Sequence, residues 1–146
     1  MKTNNFIKAF KALLVVSLFF FLGYNSSFGQ ISVIASKSST QTLTKDEAKE
    51  IFSGVKTTWS NGKKVLVIDQ SDTEVGGKFY NDFLSKSVNK VRLQWTKLVL
   101  SGQAAAPIKA TDDEEVKKNV AKDPNSVGYI NSKSLDPSVK ELFRIE

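Results

Sequence analysis

The sequence contains no cysteine and no histidine. Without cysteine there is no disulfide and no thiolate nucleophile, so the fold rests on packing alone. Without histidine the usual general base near neutral pH is gone, with every Ser-His and Cys-His pair and the commonest zinc ligand. What remains for acid-base chemistry is a set of carboxylates such as Asp69, Asp72 and Glu74, whose spacing within one turn suits helix capping better than catalysis. The expectation is a protein that is not an enzyme, with no metal site and no cofactor. Long apolar runs are also scarce. One stretch, Ala12 to Leu22, follows Lys2, Lys8 and Lys11 and precedes the small residues Ser27 and Gly29. Its about eleven apolar residues fall short of the roughly 20 that a spanning helix needs, so residues 1–29 read as a secretory signal peptide cleaved before Gln30. No stable membrane insertion is expected after cleavage, and the lack of a lipid-anchor cysteine fits the periplasm, with secretion as the alternative.

Residues 30–146 have the length of one domain with one hydrophobic core. Setting aside the three signal lysines, 18 basic residues face 15 acidic ones, so the pI of 9.5 overstates the basicity of the exported part. The basic residues form no stripe, and nucleic acid is not expected as a partner.

The elements follow from period and punctuation. Ile31 to Ala35 reads as a buried strand, ended by the polar stretch from Ser36. Thr44 and Glu47 have capping-box spacing ahead of Ala48, Ile51 and Phe52, and Gly54 suits a helix C-terminus. Val65 to Ile68 is aliphatic at every position, as in a parallel strand covered on both sides. A helix from about Glu74 carries Phe79, Tyr80, Phe83 and Leu84 inward. Another starts after Ser87, with Val88, Val91, Trp95, Leu98 and Val99 on one stripe and Gly102 as terminator. Thr111 and Glu114 have capping-box spacing before a charged helix that reads as a solvated face. Val127 to Ile130 is a third strand, and period alone leaves the segment from Val139 as strand or helix. This alternation predicts a single-domain, three-layer α/β sandwich with a mostly parallel sheet.

The turn "DQSDTEVGG" joins a strand to a helix, where N–H groups and the helix dipole favour an anion and open α/β sheets bind ligands. Ser71, Thr73 and the N–H groups of Gly76 and Gly77 are candidate oxyanion ligands there. Glu74 opposes them with its own charge, so two readings stand: Asp72 and Glu74 cap the helix, or Glu74 swings outward and an anion binds. In a parallel sheet the loop after the first strand shares that edge, which adds Ser36, Lys37, Ser38 and Ser39.

The stretches "LTKDEAKEIFSGVKTTW", "VLVIDQSD", "GGKFYNDFLS", "LQWTKLVLSGQAAAP" and "DDEEVKKNVAKDPNSVGYI", in this order, resemble the phosphate-binding-protein-like domain of periplasmic ABC-transporter substrate-binding proteins. The resemblance runs from about Ile31 to about Leu135 and matches a short single-domain subgroup, part of a type II binding protein. It implies an exported solute-binding protein whose ligand is phosphate or another small oxyanion, with an ABC permease or an envelope protein as partner. Receptors of this type hold phosphate with an Arg-Ser-x-x-Ser-Gly-Thr turn. Here the arginine falls on Gln70, the first serine on Ser71, and the Ser-Gly-Thr on Glu74, Val75 and Gly76. Those replacements keep a second function open, a periplasmic protein-interaction module that retains the scaffold and has lost the anion site. An exposed apolar patch around Phe52, Trp59 and the "AAAP" loop would favour it.

Overall fold

A computed structural model of the chain describes residues 29–146. Apart from Gly29, the expected signal peptide lies outside the described residues. The strands are β1 (Ile31–Ser36), β2 (Leu66–Asp69), β3 (Ile108–Lys109), β4 (Ser126–Asn131) and β5 (Val139–Ile145). The helices are α1 (Lys45–Phe52), α2 (Glu74–Lys78), α3 (Val88–Leu100) and α4 (Asp113–Val120). α2 runs directly into a π-helical stretch, Phe79–Leu84, and a short 3-10 turn, Ser132–Ser134, precedes β5.

The strands form one sheet in the order β3-β2-β4-β1-β5. β2 pairs in parallel with both β3 and β4, while β1 pairs antiparallel with β4 and β5. Four strands therefore point one way and β1 runs against them. Successive residues of the central strands face opposite sides: Val33, Val67, Val127 and Tyr129 pack beneath α1, α2 and α3, and Ile34, Ile68 and Ile130 pack against α4. This is the expected three-layer α/β sandwich, with strands apolar on both faces because both faces are covered. The C-terminal segment is a strand, and β3, two residues at the sheet edge, had no periodic signal in the sequence.

The direction of β1 corrects one expectation. Ser36 pairs with Val139, the first residue of β5, whereas Asp69 is the last residue of β2. Ser36, Lys37, Ser38 and Ser39 therefore lie at the opposite edge of the sheet from the turn after β2. An all-apolar strand carries no mark of its direction, since either direction buries the same side chains.

The helix ends show what short polar side chains do. Thr44 accepts the Glu47 N–H and Glu47 reaches back to the Thr44 N–H, a complete capping box. Ser87 caps α3 by accepting the Lys90 N–H. At α4 the box sits one residue later than expected: Asp112 is the N-cap and accepts the Glu115 N–H at 2.8 Å, while the Glu115 carboxylate takes the N–H and hydroxyl of Thr111. Lys117 in that helix is buried and pairs with Glu114 and Asp136, so this part of the charge run is not a solvated face. Phe52 and Trp59 are buried as well, which removes them from any exposed patch.

Glu47 also sets an acid-stability signature. The Lys56 ammonium hydrogen-bonded to it, with the N–H and hydroxyl of Thr44, holds its carboxyl down from 4.5 to about 2. A depressed carboxylate stabilises the fold above its unfolded value, and that contribution is lost as pH falls through the folded one. Glu47→Gln should therefore lower the urea midpoint at neutral pH, with the gap to the parent chain closing between about pH 4.5 and about pH 2. A gap that persists undiminished at the acid end would show that the charge of Glu47 contributes nothing.

Candidate functional site

The turn after β2 is held from within. Gln70, at the position matched to the family arginine, is 1% exposed. Its Nε2 donates to Asp113 Oδ1 and to the Tyr129 carbonyl, both at 2.8 Å, and its Oε1 shares the single Thr73 hydroxyl proton with its own backbone carbonyl. It fastens the turn to β4 and α4 and faces away from the cleft described below. Thr73 is the N-cap of α2, in place of the expected Asp72 or Glu74: its hydroxyl accepts the Gly76 N–H at 3.1 Å. The Gly77 N–H goes to the Thr73 carbonyl at 2.9 Å. The N–H groups of Gly76 and Gly77 are thus consumed by the helix start and do not face a ligand. Glu74 is exposed and points away from the cleft.

A different group of side chains gathers at the carboxyl ends of β2 and β3. A cavity of about 430 Å³ opens there between the sheet edge, the turn and α3, and Asp69, Ser71, Asp72, Arg92 and Lys109 stand around it. Ser71 Oγ donates to Asp69 Oδ2 at 2.6 Å and accepts from Arg92 Nη2 at 2.9 Å. Arg92 also pairs with Asp72 Oδ1, and Lys109 Nζ lies 2.6 Å from Asp72 Oδ2. One carboxylate therefore bridges two cations. Lys109 and Arg92 hold the Asp72 carboxyl below its usual range, and Asp72 in turn raises Arg92.

Behind this rim Asp69 Oδ1 accepts the hydroxyls of Tyr129 at 2.8 Å and Tyr80 at 3.1 Å. Burial, reinforced by the neighbouring Asp69 charge, pushes both phenols well above their ordinary value. The cavity floor is apolar, formed by Val67, Trp95, Val99, Leu100, Ala106 and Pro107.

Of the expected ligands, Ser71 alone lines this cavity. Thr73, Gly76 and Gly77 build the turn beneath it, and the Ser36 to Ser39 loop is at the far edge. Arg92 and Lys109 were missed. A signal for Arg92 was present, since Arg92, Thr96, Val99 and Leu100 recur at helical spacing on the flank of the core stripe and all four line the cavity. Lys109 lies on a strand too short to announce itself.

No family model and no curated protein matches this sequence. Solved structures do. An ABC-type phosphate transport receptor from Vibrio cholerae superposes with a TM-score of 0.62 at 18% identity, over 78% of this chain and 45% of that one. A putative phosphate ABC transporter substrate-binding protein with bound phosphate from Clostridium perfringens gives 0.63 at 18%, over 78% and 44%. PstS from Borrelia burgdorferi gives 0.59 at 17%, over 78% and 46%. The chain spans less than half the length of each. The fold is that of a phosphate-binding-protein-like lobe. Among the described residues no helix is long and apolar enough to cross a membrane.

Proposed function

We propose that the chain is an exported solute-binding-like protein that takes a small oxyanion, such as phosphate, in the cleft at the carboxyl ends of β2 and β3. Arg92 and Lys109 are its ligands, and Ser71, whose Oγ accepts from Arg92 and donates to Asp69, orients the guanidinium. The observation that carries this reading is the convergence of two cations, Arg92 and Lys109, at the sheet edge where open α/β folds place their ligands. Export follows from the signal-like residues 1–29, with the periplasm as destination and an ABC permease as the natural partner of such a receptor. The fold and the missing histidine and cysteine favour a binding role over an enzymatic one.

The internal anion is Asp72, not Glu74. Its carboxylate occupies the place between Arg92 and Lys109 that an incoming oxyanion needs, with the same charge and the same donors. Ligand entry is then an exchange of one anion for another, and Asp72, nearly half exposed, is free to turn outward. Calorimetric titration with inorganic phosphate at fixed ionic strength tests this. Asp72→Asn should tighten binding by about tenfold, because a neutral amide competes poorly for two cations, and Arg92→Gln should weaken it by at least as much. Unchanged affinity in both variants would place the ligand elsewhere. One observation favours the interaction-module reading: the cations are already paired, and Leu100 stands exposed on the cleft wall. An Asp72→Asn chain that still ignores every anion would support that reading.

A further inference from the structure

We infer that the oxyanion this cleft takes is the head of a small organic acid, a monoanion with an apolar body. The inference rests on the oxyanion reading above and names the class of ligand within it. Charge comes first. Arg92 and Lys109 face Asp69 and Asp72, so the site is balanced in formal charge while Asp72 fills it. When Asp72 turns outward, Arg92, Lys109 and Asp69 leave a surplus of one positive charge, which one negative charge neutralises. A doubly charged phosphate overshoots, and its excess falls beside the Asp69 carboxylate, which the Tyr80, Tyr129 and Ser71 hydroxyls fix in place. Like charges brought that close are repelled strongly.

Shape comes second. A cavity of about 430 Å³ falls within the range of pockets that hold whole organic molecules, and a four-oxygen ion at its polar rim would fill one corner. Beside Tyr80 and Thr96, the rest of the wall is apolar, made by Val67, Trp95, Val99, Leu100, Ala106 and Pro107. Leu100 is 83% exposed, so a large apolar side chain stands in water on the wall of a cleft whose charges sit at one end. An acid group between Arg92 and Lys109 places an attached ring or chain directly against this wall. Covering it removes apolar surface from water, a gain that an inorganic ion cannot realise.

Titration calorimetry of the full chain with benzoate, acetate and inorganic phosphate, at matched ionic strength, reads the inference directly. Benzoate should bind at least about tenfold tighter than either of the others. Leu100→Gln, at a position open to solvent, should bring the benzoate-to-acetate ratio down towards one. Equal affinity for benzoate and acetate, a ratio untouched by Leu100→Gln, or a preference for phosphate would overturn the organic-acid inference while leaving the oxyanion reading standing. No binding of any of the three, in the parent chain and in Asp72→Asn, would overturn both.

Discussion

Gly76→Ala should destabilise the fold by about 3 kcal/mol or more, whereas Gly77→Ala beside it should be neutral or stabilising by up to about 1 kcal/mol. A Cβ on Gly76 would stand 2.1 Å from the Gln70 carbonyl oxygen and 2.6 Å from Ser71 Cα. That oxygen has nowhere to retreat, since it accepts both the Thr73 N–H at 2.9 Å and the Thr73 hydroxyl at 2.8 Å. The clash is of backbone against backbone, which no change of rotamer relieves. A Cβ on Gly77 meets nothing within 4 Å, and alanine there improves helix propensity. Urea unfolding of the two variants checks the pair: equal midpoints would mean that the turn does not need the close approach. Because Ser71, which accepts from Arg92, sits on the displaced backbone, Gly76→Ala should also weaken any ligand held by Arg92.

The same two glycines show where a sequence stops being informative. "GG" after a turn signals a backbone brought close to something, and the close approach is real. What it approaches is the protein's own Gln70 carbonyl, and nothing in a dipeptide distinguishes that from a ligand. The layers, the helix starts at Thr44 and Ser87 and the inward aromatics Phe79, Tyr80 and Phe83 with Leu84 were legible because each is written within one or two turns of chain. The direction of β1 and the edge strand β3 were not, because they depend on pairing with β4, β5 and β2 far along the chain. The site was half legible for the same reason. Ser71 is local to the turn, while Arg92 and Lys109 come from a helix and a strand that only the tertiary fold brings beside it. Asp72 behaved as a cap candidate on the page of the sequence because Lys109, 37 positions later, could not be seen to be its partner.

Asp69→Ala should cost about 2–5 kcal/mol, through what it leaves behind. The phenols of Tyr80 and Tyr129 are 3% and 0% exposed, and both hydroxyls end on Asp69 Oδ1. The Tyr129 ring is stacked on Phe79 at 3.8 Å between centroids, so it cannot swing to find water without opening the core. Truncation leaves two phenol donors without their protein acceptor, Tyr129 deep in the core and Tyr80 at the cleft wall. Asp69→Asn should cost far less, because its amide oxygen still accepts both phenols and its NH₂ can donate to Ser71 Oγ. A difference between the two variants in urea unfolding isolates hydrogen-bond capacity from charge. Alkaline titration adds a second reading. Both phenols are raised in the folded state, so their contribution is whole below the ordinary tyrosine value of about 10 and is lost as pH rises above it. Phenolate absorbance from Tyr80 and Tyr129 should therefore appear together with loss of the fold. Phenols that ionise near pH 10 in a chain still folded would show that Asp69 does not hold them, and the back wall of the cleft would need a different account.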